Sequence, residues 1–186
     1  MAGNTNKSQA YGLFCLLLII GGAMGWTGYT HRQQDVRNTS LIDAAARNDL
    51  PKVVALLAEG ANPNAMWRNK KPYNWQDFCK QMVGIDPRAG EGGHTALMLA
   101  AQDGQLPLAK ALIDSGANVN VRDGEGSTAL HWAARSTKPD SGAIILLLGA
   151  NRADLKAKSM DGKTAVDLAA RNPKNLQALQ QALKGK

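Results

Sequence analysis

The residues able to do chemistry are few. They comprise three histidines (His31, His94, His131), two cysteines (Cys15, Cys79) and one dense group of aromatic and basic side chains. No catalytic or metal-binding constellation forms among them. Cys79 is the one cysteine beyond the N-terminal segment, and no general base accompanies it as a thiol nucleophile needs. A hidden enzymatic site would have to gather Asp77, Cys79 and Asp86 in a pocket. Gly90-Glu-Gly-Gly93 is glycine-rich but lacks the Lys-Ser/Thr of a phosphate loop, and reads as a flexible exit from the segment before it. These observations predict a protein without catalytic residues, cofactor, metal or small-molecule substrate. What remains is recognition. Trp67, Tyr73, Trp75 and Phe78 are four of the five aromatics outside the N-terminal segment and fall within twelve residues. Arg68, Lys70, Lys71, Lys80 and Arg88 are interleaved with them or follow close behind. Trp, Tyr and Arg are the residue types that anchor protein interfaces. Such interleaving also suits single-stranded nucleic acid, but export of the chain would exclude it, and no nucleic-acid partner is expected.

The elements that position these residues are written as a repeat. TALMLAAQDGQL at 95–106 leads to GANVN at 116–120. TALHWAA at 128–134 leads to GAN at 149–151, and TAVDLAARN at 164–172 is a partial third copy. Thr95 to Thr128 is 33 residues, as is Gly116 to Gly149, whereas Thr128 to Thr164 is 36 and places about three extra residues after Gly149. An earlier copy, TSLIDAAARNDLPKVVALLAEGANPN at 39–64, aligns at an offset of 56, or 33 plus 23, so a large insertion follows it. Self-similarity at such a period marks a stacked array whose units cannot bury their own apolar faces. The alanine pairs Ala100/Ala101, Ala133/Ala134 and Ala169/Ala170 allow a short first helix to lie close to its neighbours. Leu106, Ala109, Leu112 and Ile113 make one apolar helical face. Gly60, Gly116 and Gly149 follow such faces where a helix takes a left-handed C-terminal residue.

The copies resemble the ankyrin repeat, with its T-x-L-H-x-A-A opening, second helix ending in leucines and closing G-A-x-x-N; the resemblance covers roughly Thr39 to Leu183. The family's proline after threonine is replaced by Ala96, Ala129 and Ala165. The resemblance implies an all-α repeat solenoid of about four helix-turn-helix units: repeats at about 39–65, 92–124, 125–160 and 161–186, with an insertion at 66–91. The last unit has the polar outer face of a cap, with Gln177, Gln180, Gln181 and Lys184 among Leu176, Leu179 and Leu183. His131 occupies the family's histidine position, where that side chain braces adjacent loops by hydrogen bonds. The family binds protein partners through its concave face, at the finger tips and the ends of the first helices. Carried over position by position, those residues are His94, Gln102 and Asp103; Glu125, Ser127, Arg135 and Ser136; and Asp161, Lys163, Arg171 and Asn172. The insertion occupies the finger between two repeats, and insertions in repeat proteins map to loops on one face, often the binding face. Trp67, Arg68 and Tyr73 are read as exposed recognition residues. Trp75, Phe78, Met82 and Ile85 recur at helical spacing behind a possible Asn74 cap, consistent with a short extra helix.

Residues 1–9 form a tail, 10–30 a hydrophobic segment and 31–38 a linker. No charge falls between Ala10 and Thr30, and the run is about long enough to span a bilayer as a helix. Trp26 and Tyr29 sit where an interfacial aromatic belt would, and Lys7 precedes the run. An uncleaved anchor and a cleaved signal peptide, with Ala23-Met-Gly25 as the small-x-small site, both fit. Cys15 is not a lipoprotein cysteine, because bulky Phe14 precedes it. The positive-inside count is nearly balanced by Arg32 and Arg37, and the N-terminal, signal-like character favours repeats outside the cytosol, in a bacterium the periplasm. The net charge is +7, and from Arg152 onward eight basic residues face three acidic ones, a surface for acidic proteins or lipid, or merely a solvated cap. The expectation is a non-enzymatic interaction module, anchored at the membrane or exported. Its more specific forms are an immunity protein that neutralises an envelope-directed toxin and an envelope stress or redox accessory protein.

Overall fold

The computed structural model describes residues 33–67 and 93–184. Two compact units divide the chain, Met1–Arg37 and Asn38–Lys186. Of the first, the described residues 33–37 are helical. The hydrophobic segment 10–30 lies outside the described residues, as do Arg68, Tyr73 and the expected helix around Trp75. Among the described residues no helix is long and apolar enough to cross a membrane.

Among its described residues the repeat unit is all-helical. In chain order the described helices are α1 (residues 33–46), α2 (Leu50–Ala58), α3 (Ala96–Gln102), α4 (Leu106–Asp114), α5 (Ala129–Arg135), α6 (Ser141–Ala150), α7 (Ala165–Ala169) and α8 (Pro173–Lys184). They pair as helix-turn-helix repeats. Residues 33–38, read as part of a linker, are helical, and Thr39 lies inside the helix rather than capping it. Each later repeat opens on a threonine at the N-cap, and the residue three positions on returns a bond to that threonine's backbone N–H. That acceptor is the Met98 sulfur at 3.5 Å, His131 Nδ1 at 3.2 Å and Asp167 Oδ2 at 2.8 Å. One orphan helix donor is thus satisfied by three chemically different residues.

Two of the three alanine pairs do what their size predicts; in the third, Ala169 is buried but Ala170 is the exposed C-cap of α7. Ala100, Ala101, Ala133, Ala134 and Ala169 are buried in one core with Leu97, Leu130, Leu108, Leu112, Ile144, Ile145, Leu148 and Leu179. Each fully buried leucine contributes about 1.5–3 kcal/mol. α6, SGAIILLLGA, is apolar on all sides because α5 and α8 both pack against it. A second, polar tie runs along the repeats. The amides of Asn62, Asn118 and Asp154 donate to the side-chain oxygens of Asn38 (2.8 Å), Asn64 (2.6 Å) and Asn120 (2.8 Å). The first of these bonds closes repeat 1 on itself, and the asparagines ending GANPN and GANVN hold repeat 1 to repeat 2 and repeat 2 to repeat 3.

The third helix end departs from expectation. Gly60 and Gly116 have φ of +86° and +88°, but the corresponding left-handed residue of repeat 3 is Arg152, φ +63°. The backbone bonds fix the correspondence: Ala61, Ala117 and Ala153 donate to Leu56, Leu112 and Leu148. Gly149 lies inside α6. The three extra residues therefore precede it, in the Ser136–Asp140 loop and one added helical residue. Gly149 serves helix packing instead, since a Cβ there would sit 3.1 Å from the Ala182 Cβ of α8. Replacing Arg152 by Gly removes left-handed strain and is expected to raise stability by about 0.5–1 kcal/mol. Gly149→Val overpacks the α6–α8 contact and is expected to lower it by about 1–3 kcal/mol. Urea midpoints of the two variants check both signs; a destabilising Arg152→Gly would overturn the left-handed cap at Arg152, and an unchanged midpoint for Gly149→Val would overturn the packing role of Gly149.

Candidate functional site

The site is built where the second finger meets the start of α5. Asp123 opens that finger and is 7% exposed. Its Oδ1 accepts the backbone N–H groups of Glu125 (2.9 Å) and Ser127 (2.8 Å), which closes the turn. Its Oδ2 accepts the indole Nε1–H of Trp132 at 2.8 Å. Trp132 occupies the x position of T-x-L-H-x-A-A; it is only 8% exposed, belongs to the core cluster, and is held by three neighbours. His94 stands edge-on to it, with centroids 4.6 Å apart and planes at 69°. The Arg135 guanidinium lies 4.5 Å from its ring centroid. His94 Nδ1 is 3.9 Å from Asp123 Oδ2. Beside the stack, Gln102, Asp103, Trp132, Arg135, Ser136, Thr137 and Lys138 line an open depression of about 200 Å³.

Two features place the insertion at this spot. Met66 and Thr95 form an isolated bridge, and Trp67 N–H donates to His94 O at 2.8 Å. The described residues at the two ends of the insertion are thus tied together at His94. Gly93 permits this closure, because a Cβ there would collide with the Trp67 carbonyl. Trp67 is 49% exposed at the root.

The residues expected to contact a partner divide accordingly. His94, Gln102, Asp103 and Arg135 come together around Trp132. Glu125, Asp161, Lys163 and Arg171 are exposed, and Ser127 is half-buried. Ser136 is different: 5% exposed, with its hydroxyl donating to Gln102 O at 2.6 Å. Asn172 Nδ2 donates to Ser136 O, as does Asn175, which is fully buried and also bonds Ala133 O, Ala134 O and the Ser141 hydroxyl. The hydroxyl of Ser136 and the amide of Asn172 are therefore engaged in joining repeats 2, 3 and 4. Trp132, Asp123, Thr137 and Lys138 were missed. Trp132 carried a signal, being the one aromatic inside the repeats. The others carried none, since their roles arise from contacts across loops.

His131 braces the fingers. Its Nε2 lies 3.1 Å from Ala157 O and 3.3 Å from Lys163 O, while Nδ1 faces the Thr128 N–H and hydroxyl. The Nε2–H tautomer satisfies every partner, and a second proton on Nδ1 would point at an N–H.

The family described as "Ankyrin repeats (3 copies)" matches residues 41–159. The chain belongs to the ankyrin repeat family, whose members are protein-interaction modules. Over 96 residues it is 40% identical to Neurogenic locus notch homolog protein 1 of Xenopus laevis and 38% identical to that of Homo sapiens. It is 36% identical over the same length to the Neurogenic locus Notch protein of Drosophila melanogaster. Each match covers 51% of this chain but only 3–4% of the relative. The chain therefore spans a small part of the curated relatives it matches.

Burial lowers the His131 pKa from 6.5; its carbonyl contacts oppose this less strongly, and nearby Arg122 adds to the lowering. A depressed folded-state pKa means that the unfolded chain takes up a proton first. The stability associated with neutral His131 is complete above pH 6.5 and declines as pH falls from there through the folded pKa. The wild-type melting temperature should therefore drop between pH 7 and 5 more steeply than that of His131→Gln, in which the glutamine retains a cap acceptor. Parallel slopes would show that His131 does not titrate differently on folding.

Proposed function

We propose that this chain is a membrane-held or exported docking protein that binds a protein partner through the face formed by its first helices and fingers. The observation that carries this reading is the Trp132–Arg135 stack with His94 at the root of the insertion. Trp and Arg are the residue types that dominate interface energetics, and here they are held in place before a partner arrives. The exposed Gln102, Asp103, Arg171, Glu125, Asp161 and Lys163 supply a polar surround, and exposed Trp67 extends the surface. The chemistry is non-covalent. Segment 10–30 supports the membrane part of the proposal through its charge-free length alone, and the positive charge of Lys7 favours repeats outside the cytosol.

Photo-crosslinking tests the docking face. A crosslinker at Gln102 or Arg171 should trap the same partner, and one at exposed Lys110 on α4 should trap none. Trapping from Lys110 alone would move the binding surface to the second helices. For orientation, alkaline phosphatase fused after Lys186 should be active; an inactive phosphatase together with a fluorescent cytosolic reporter at that position would reverse it.

A further inference from the structure

We propose that the depression beside Trp132 is a receptor for a single acidic side chain of the protein partner, read by the Arg135 guanidinium. This rests on the docking reading above and assigns the partner's chemistry. Arg135 is exposed, yet its guanidinium is parked on an indole that is itself immobilised. The finger turn holds Asp123, Asp123 holds the Trp132 N–H, and Trp132 supports Arg135. An arginine fixed this way has already lost much of the rotamer freedom that binding would otherwise remove. The guanidinium lies over the indole, its N–H groups have no acceptor among the described residues, and their fork matches a carboxylate bidentately.

The charges nearby point the same way. Among the described residues neither Arg135 nor Lys138 is ion-paired with an acid. Asp123 is turned inward: its oxygens already accept two backbone N–H groups and the indole, with His94 Nδ1 at 3.9 Å. Lys138 is brought to the rim by Gly104, where any side chain would collide with the Lys138 Cβ. Gln102 and Thr137 add further donors on the lining, against Asp103 as the one acid there. Two cations and one anion leave the site short by one negative charge. A volume of about 200 Å³ is smaller than the roughly 300–1,000 Å³ of a small-molecule pocket and suits one side chain. Asp103 would repel a second adjacent acid, so the site selects an isolated Glu or Asp over a polyanion.

The test is a selection of random twelve-residue peptides against the full chain, with affinities then measured by fluorescence anisotropy. Selected peptides should share one acidic position. Changing that residue to its amide should weaken binding about thirtyfold, the factor of one interface anchor. Arg135→Ala should do the same with an unchanged melting temperature, Arg135→Lys should restore only part of the loss, and the double change should cost little more than either alone. Peptides that bind without an acidic position, or losses that add independently, would overturn the carboxylate assignment while leaving the docking face intact. Failure to select any peptide would overturn both.

Discussion

The whole array depends on how closely the short first helices approach one another. Ala100/Ala101 and Ala133/Ala134 are almost wholly shielded from solvent, and a larger side chain at any of them would push adjacent repeats apart. Because the repeats sit so close, polar groups at the ends of these helices reach their neighbours directly. Ser136 bonds Gln102 O, Asn175 reaches the carbonyls ending α5, and His131 spans to two carbonyls of the next finger. The asparagine ladder repeats the same tie on the other side of each unit. Stacking contributes the apolar burial, and these bonds set its register.

The candidate site uses that geometry. In each of these first helices the x position of the motif carries a large side chain. Leu99 and Leu168 occupy it in repeats 2 and 4, and Trp132 in repeat 3. The indole there joins the core cluster and is also held by a finger carboxylate, a histidine ring and a guanidinium. Loop length matters as well. The longer α5–α6 loop brings Thr137 and Lys138 to the depression, which the shorter α3–α4 loop borders with Gln102 and Asp103. A three-residue irregularity in the repeat period is therefore also part of the site. Relatives that match only one stretch of repeats say nothing about these features, which depend on loop length and on individual side chains at the stack.

The fold was legible in the sequence because a repeat states the same physical demand several times. Threonine at the helix start, paired alanines, a leucine face and the GAN motif recur, and the threonine cap is a local requirement met by residues close in the chain. The repeat architecture is legible in that recurrence, and its all-helical form is what the resemblance to the ankyrin repeat implies. Tertiary structure decided what depends on distant neighbours. A glycine near a helix end can serve as a left-handed cap or as a clearance for another helix, and only the packing of α8 assigns Gly149 to the second and Arg152 to the first. Ser136 and Asn172 have the composition of surface residues, and their engagement emerges only when repeats 2, 3 and 4 meet. The joining of His94, Asp123, Trp132 and Arg135 follows for the same reason: helix and finger periodicity specify each residue's own element, while their contacts cross between elements whose separation is set by the stacked alanines.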